Sequence, residues 1–403
     1  MTSWSTLAAD APFGLHHLPY GSVADQQGRR FAAVRVGDDV LDLTALTKDG
    51  NYAELFADGT LDSFLAAGRS AWSTMRSMLT DRLADQHNSG AIESSLIPLS
   101  EVTELMPMTV GDYVDFYASE HHATNVGRIF RPNGDPLTPN WKHLPIGYHG
   151  RAGTVVVSGT DIHRPQGQAR CPDGSIRFGP SQKLDIEAEV GFVLGGRTEL
   201  GEPIPIAHAR DHLFGVCLVN DWSARDIQAW EYVPLGPFLG KSFGTSISAW
   251  ITPLAALDHA WTAPPQRLPA PLPYLDDSAE PSGLDIAIEI AVNGVTISRP
   301  PFASMYWTGA QMLAHMTVNG ASMRPGDLMA SGTVSGPGAA EYGSLLELTS
   351  NGTRPIDLGA GRTLGFLEDG DEVVLTATAP AAAGRITLGE CRGRLLSAAT
   401  SES

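Results

Sequence analysis

The chain has 403 residues, enough for a large core and more than one domain, and its 45 acidic against 27 basic side chains give a formal charge of −18. That balance disfavours nucleic acid and anionic membrane surfaces as partners, and it obliges any anionic substrate to find a local pocket of Arg, Lys or metal. The three cysteines, Cys171, Cys217 and Cys391, are too few and too scattered for a disulfide framework or a zinc pair, and the longest apolar runs, such as 215–219, are strand-sized, so a reducing cytoplasm is expected and neither export nor a membrane span is.

Helix breakers are abundant, with 43 Gly and 28 Pro, and short β-branched runs recur, which predicts a mostly β, α+β fold. Strand-like pieces at Arg30–Arg35 and Asp39–Leu43 precede helical stretches at Tyr52–Ala57 and Leu61–Leu83. A polar stretch at 86–90, then prolines near 98 and 107, place a domain boundary near residue 105, giving units 1–105 and 106–403. Beyond it, strands are predicted at Thr154–Ser158, Glu187–Leu194, Phe214–Asn220, Leu284–Val292 and Val373–Thr378, with helices at Ser223–Tyr232 and Ser304–Val318. The proline-rich 263–273 lies between core strands and reads as a surface excursion.

The segment Lys183–Leu194 is the most informative. Leu184, Ile186, Ala188 and Val190 alternate with Asp185, Glu187 and Glu189, the period of a strand with one apolar and one carboxylate face. Carboxylates in a row repel, so they face open water, as on a solvated edge strand, or share a cation suited to hard oxygen ligands. The buried-type strand 214–221 ends in Asp221 and runs into a predicted helix with Ser223 as N-cap and Asp226 in a capping-box-like position. On that helix Arg225, Gln228 and Tyr232 share a face. Lys241 sits in a Gly-rich turn beside an apolar Pro-Phe-Leu run, a setting for a partly desolvated cation. Residues 112–131 crowd Asp115, Tyr117, His121, His122, Arg128 and Arg131 together, a metal ligand, a phenol, imidazoles and guanidiniums within one span. Tyr148 and Thr333 follow in glycine-bounded turns.

Taken together, segments 115–127, 139–151, 185–189, 219–232, 236–245, 305–308 and 324–337 closely resemble the fumarylacetoacetase family, hydrolases that split 4-fumarylacetoacetate in tyrosine and phenylalanine breakdown. The likeness is strong from about residue 105 to 395 and weaker before it, where shorter superfamily members lack the unit. It implies a small SH3-like β-barrel followed by a larger mixed β-roll catalytic domain, in a cytoplasmic homodimer. It further implies Ca²⁺ on Asp115, Glu187, Glu189 and Asp221, and Mg²⁺ near Asp221, Lys241 and Thr245, with Lys241 contributing its backbone carbonyl. His122 falls on the family's general base and Glu347 on the carboxylate that orients it. Arg225, Gln228 and Lys241 match oxyanion stabilisers, and Tyr117, Arg131, Tyr148, Gln228, Tyr232 and Thr333 match substrate-binding positions. The implied substrate is a small dianionic diketo acid. Rival readings are an acylpyruvate (fumarylpyruvate-type) hydrolase and, in another class, a non-catalytic Ca²⁺-binding scaffold, against which the presence of His122 and Glu347 argues.

Overall fold

A computed structural model describes residues 11–84 and 95–399. The polar stretch 86–90 lies outside them. Sheets dominate, as composition predicts, and helices are short and few.

The first unit is a five-stranded antiparallel sheet in the order Leu96–Pro98, Asp39–Asp42, Arg30–Val36, Tyr20–Asp25, Val102–Leu105. Alternation along Arg30–Val36 sends Ala32, Val34 and Val36 to one apolar cluster and Phe31 and Ala33 to another, built around Trp250. Both faces of this sheet are therefore covered. The helix predicted over Leu61–Leu83 divides into Asp62–Ala66 and Gly68–Ala84. Gly68 has φ +77°, a left-handed conformation that glycine adopts at no steric cost and that ends the first helix. The expected Tyr52–Ala57 helix is only the single 3₁₀ turn Ala53–Leu55.

The central sheet runs Gly147–His149, Tyr113–Phe116, Leu328–Ala330, Ala188–Leu194, Leu213–Asp221, Thr245–Ile247, Val155–Val157, with Thr252–Pro253 paired beside Leu213–Asp221. It is mixed: Tyr113–Phe116 lies parallel to Leu328–Ala330, Thr245–Ile247 parallel to Val155–Val157, and the other pairs are antiparallel. Leu213–Asp221 is buried at every residue, which explains its unbroken apolar run. A second sheet runs Val295–Ser298, Ala287–Val292, Glu372–Pro380, Cys391–Leu396, Ile162–His163. Its inward side chains, including Ile288, Ile290, Val373 and Leu375, meet Val190, Phe192 and Leu218 of the central sheet in the main core. Helix Gly309–Thr317 begins later than the predicted 304 because Thr308 and Gln311 form a reciprocal capping box there. Residues 263–273 run between the short paired strands Trp261–Thr262 and Gly283–Leu284, with Leu268 and Leu272 exposed.

The apolar cluster that takes Ala32, Val34 and Val36 joins the two sequence regions. Phe214, at the start of the strand that ends in Asp221, packs against Tyr20, Phe64 and Trp72 with ring centroids 5.2 to 5.6 Å apart. Removing a buried ring of this kind costs about 3 to 5 kcal/mol. Phe214→Ala should therefore lower the thermal unfolding midpoint by several degrees in calorimetry, and an unchanged midpoint would show that the seam contributes little.

Candidate active site and carboxylate cluster

Helix Glu120–Phe130 opens on Ser119, whose hydroxyl accepts the His122 N–H at 3.2 Å, and this cap fixes His122 in the first turn. Behind it, Gly127 lets the chain at Pro136 close in: a Cβ would come 1.9 Å from the Pro136 oxygen. His122 is buried, and its Nδ1 lies 2.7 Å from Glu347 Oε2. Glu347 stands on the short helix Leu345–Leu348, where Ser344 Oγ donates to Oε2 at 2.8 Å, Ser335 Oγ donates to the same oxygen at 3.0 Å, and Asn125 Nδ2 donates to Oε1 at 2.9 Å. Burial alone would raise the Glu347 pKa, but His122 and these donors hold it below its ordinary value. An ionised carboxylate only accepts, so Nδ1 donates its proton to Glu347, and Nε2 is the ring nitrogen turned away from that bond. Nε2 lies 3.9 Å from Glu187 Oε1, beyond hydrogen-bond range.

Register brings the carboxylates together. Asp115 pairs across the sheet with Tyr148, Asp221 pairs with Thr245, and Glu189 lies on one of the two strands between theirs, opposite Val219. Glu187 precedes that strand. Carboxylate oxygens of Asp115, Glu187, Glu189 and Asp221, one from each, all lie within 4.8 Å of one another, and all four residues are buried. The solvated-edge alternative therefore fails: this carboxylate row faces the interior.

Burial first, then neighbouring carboxylates, push the pKa values of Asp115 and Glu189 well above the ordinary range. Asp221 is raised by burial despite Lys241. Glu187 is the exception: burial would raise it, but Lys241 and Arg225 hold it low. Lys241 is 6 % exposed, and its ammonium pairs with Glu187 and Asp221. Those partners raise its pKa against the opposing effect of burial. The expected partly desolvated cation is present, and it enters the cluster through its ammonium. Thr245 Oγ1 donates to Asp221 Oδ1 at 3.0 Å, and the Gly332 N–H donates to Glu189 Oε2 at 3.0 Å. Asp115 Oδ1 and Glu189 Oε1 have no hydrogen-bond partner. Two orphaned buried carboxylate oxygens among four converging ones are a donor set that fits a hard divalent cation.

A cavity of about 480 Å³ opens over this cluster, lined by His122, Tyr117, Tyr148, Arg225, Gln228, Lys241 and Thr333 and, towards its mouth, by Arg131 and Tyr232. The Tyr117 ring meets His122 edge-on at 5.4 Å. Tyr148 lies beside Asp115 on the paired strand, and burial raises the pKa of the Tyr117 and Tyr148 phenols. Arg225 Nη1 donates to Gln228 at 3.2 Å, and Nη2 lies 2.7 Å from Glu187. Thr333 Oγ1 is buried and without a partner. Arg131 is exposed, with Nη2 donating to the Pro136 carbonyl at 2.6 Å. Apolar Val126, Phe130 and Ile146 complete the wall. His121 and Arg128 do not line this cavity.

Two readings of the sequence change. Ser223 does not cap the following helix: it pairs with Asp185 in a short strand and donates to the Asp221 carbonyl at 2.9 Å, and the helix runs Arg225–Glu231 with Ala224 before it. Asp226 binds Ser181, Arg177 and the Gln182 N–H instead. Asp185 also leaves the carboxylate row, because the strand breaks between Asp185 and Ala188, and it pairs with Arg225 at 2.7 Å. Sequence reasoning missed Asn125, Ser335 and Ser344 as holders of Glu347. Ser344-Leu-Leu-Glu347 carries the capping-box spacing that could have found one of them.

Gly332 has φ +75°, and a Cβ there would lie 2.1 Å from the Phe116 oxygen. Gly332→Ala should displace its N–H from Glu189 and weaken divalent-cation binding by about tenfold or more, as loss of a group that orients a ligand usually does. Calorimetric titration with Ca²⁺ checks this, and wild-type affinity would contradict it.

Residues 112–396 match the fumarylacetoacetate (FAA) hydrolase C-terminal family, and residues 16–107 match the fumarylacetoacetase N-terminal family. The fumarylacetoacetase of Homo sapiens is 45% identical over 416 residues, covering 98% of this chain and 99% of that one. The fumarylacetoacetase of Arabidopsis thaliana is 45% identical over 417 residues, covering 98% of each. Among solved structures, a fumarylacetoacetate hydrolase of Exiguobacterium antarcticum shares the fold at a TM-score of 0.56 and 16% identity, covering 94% of this chain and 99% of that one. A 5-carboxymethyl-2-hydroxymuconate delta-isomerase of Mycobacterium smegmatis shares it at 0.51 and 15% identity, covering 95% of this chain and all of that one. With both terminal families matched in order and such identity along nearly its whole length, the chain belongs to the fumarylacetoacetate hydrolase family.

Proposed function

We propose that the protein hydrolyses the carbon–carbon bond of 4-fumarylacetoacetate, yielding fumarate and acetoacetate, the last step of tyrosine and phenylalanine breakdown. The observation that carries this reading is the His122–Glu347 pair facing one cavity with four converging carboxylates and the cations Arg225 and Lys241. Near-full-length identity to curated fumarylacetoacetases supports the substrate.

His122 Nε2 takes a proton from water as its oxygen adds to the ketone on the fumaryl side. The Nδ1–H to Glu347 bond holds the ring in place and stabilises the imidazolium that forms. Lys241, Arg225 and Gln228 donate to the tetrahedral oxyanion, each worth about 3 to 4 kcal/mol by analogy with other oxyanion holes. Collapse of that intermediate breaks the carbon–carbon bond, leaves fumarate, and places the bonding pair on acetoacetate as an enolate, whose carbon takes the proton from His122. We assign Ca²⁺ to Asp115, Glu187, Glu189 and Asp221, and Mg²⁺ to the side of Asp221, Lys241 and Thr245. A divalent ion there supplies Lewis-acid charge for diketone and enolate oxygens. Arg131, at the mouth, with Tyr117, Tyr148, Tyr232 and Thr333, receives the substrate carboxylates and carbonyls that the negative protein would otherwise repel. The same reading includes a cytoplasmic homodimer, for which exposed Tyr232, Val233, Leu235 and Phe238 offer an apolar face. No helix among the described residues is long and apolar enough to cross a membrane.

The test is spectrophotometric loss of fumarylacetoacetate, with and without chelator and beside fumarylpyruvate. Faster turnover of fumarylpyruvate would overturn the substrate assignment, and activity surviving full chelation would remove the metal role. In the same assay His122→Ala should slow the chemical step by about 10² to 10⁴. Glu347→Gln should cost much of that factor, and the double variant should be little worse than His122→Ala alone. Losses that multiply would show that Glu347 acts independently.

A further inference from the structure

Asp185 has no part in the carboxylate cluster, yet it is fully buried and saturated with donors. Its Oδ2 accepts Arg225 Nε at 2.7 Å and the Leu346 N–H at 3.0 Å, and its Oδ1 accepts the Leu345 N–H and its neighbour's Ile186 N–H, each at 2.7 Å. Leu345 and Leu346 immediately precede Glu347. One carboxylate therefore holds the guanidinium that reaches Glu187 and Gln228 and also the backbone that carries the partner of His122. These elements come from three distant parts of the chain, and the Arg225 N–H in turn donates to the Lys183 carbonyl at 2.9 Å, closing the junction from the other side.

On the reading of function given above, we propose that Asp185 is a positioning residue that sets the distance between the base pair His122–Glu347 and the oxyanion donor Arg225. It touches no substrate and binds no ion. A charged acceptor is required because a neutral amide of the same shape turns an N–H₂ towards N–H donors and leaves the two that shared the replaced oxygen without it inside the protein. A buried guanidinium deprived of one carboxylate also leans harder on Glu187, which moves both out of register with the cavity.

The experiment is a double-mutant cycle. Asp185→Asn should lower kcat by about 10- to 100-fold, as a small misplacement of catalytic groups does, while KM stays within about threefold. Asp185→Asn combined with Arg225→Gln should lose less kcat than the product of the two single losses. Wild-type kcat in Asp185→Asn, or losses that multiply in the double variant, would overturn the proposal, since a purely structural contribution would not depend on Arg225. If Asp185→Asn does not fold, Arg225→Lys serves: it keeps the charge but cannot place an Nε–H at Asp185, and it should lose kcat to a similar extent, with wild-type kcat counting against the proposal. Wild-type turnover in the same assay tests the functional reading separately. Even without it, the Arg225 Nε–H should be a slowly exchanging NMR resonance in the wild type, and rapid exchange would refute the anchor itself.

Discussion

Four carboxylates buried within one small volume are the constraint on which the rest of this structure depends. At 4.8 Å, the bound within which their converging oxygens lie, two unit charges in an effective dielectric near 20 repel by about 3 to 4 kcal/mol. Four ionised groups make six such repulsions, a sum larger than the 5 to 15 kcal/mol that ordinarily holds a domain folded. Positive charge must therefore enter the site, as a cation or as protons kept on Asp115 and Glu189, whose pKa values burial and the neighbouring carboxylates raise. Lys241 and Arg225 supply part of it, through Glu187 and Asp221, and the orphaned oxygens of Asp115 and Glu189 mark where the protein supplies none.

Strand register is what makes so costly an arrangement reproducible. Asp115, Glu189 and Asp221 come from three strands of one mixed sheet whose reverse faces are packed with apolar side chains, so none can retreat to water without breaking the sheet. The base pair is built differently. His122 and Glu347 lie on two helix first turns with serine caps, and the cap hydroxyl of Ser344 also donates to the carboxylate it helps place. The structure thus combines a rigid anionic floor with a hydrogen-bonded wall, and the cavity between them is where an oxyanion and an enolate can be stabilised together.

Much of this was legible from residue order. The i, i+2 pattern of Glu187 and Glu189 gave their shared face, and the run 214–221 gave a strand ending in a carboxylate. Periodicity does not say what covers a face, so the same pattern included Asp185, which the break before Ala188 diverts to Arg225. Ser223 shows tertiary pairing overriding a local signal: a good cap residue was taken into a strand opposite Asp185. Gly68 divided a helix whose apolar spacing reads as continuous, since Trp72, Met75, Leu79 and Leu83 keep one face regardless of what precedes them. Glu347 was reached only through family resemblance. It lies 225 positions from His122, and no local rule joins residues so far apart.

The most direct test of this account replaces two of the crowded carboxylates by amides of the same shape, Asp115→Asn with Glu189→Gln, and compares thermal unfolding midpoints with and without Ca²⁺. If repulsion governs the site, the metal-stripped double variant should unfold at or above the temperature of metal-stripped wild type, and added Ca²⁺ should stabilise the wild type while leaving the variant nearly unmoved. A stripped variant markedly less stable than stripped wild type would contradict the account, because it would mean that the two charges hold the fold together rather than strain it.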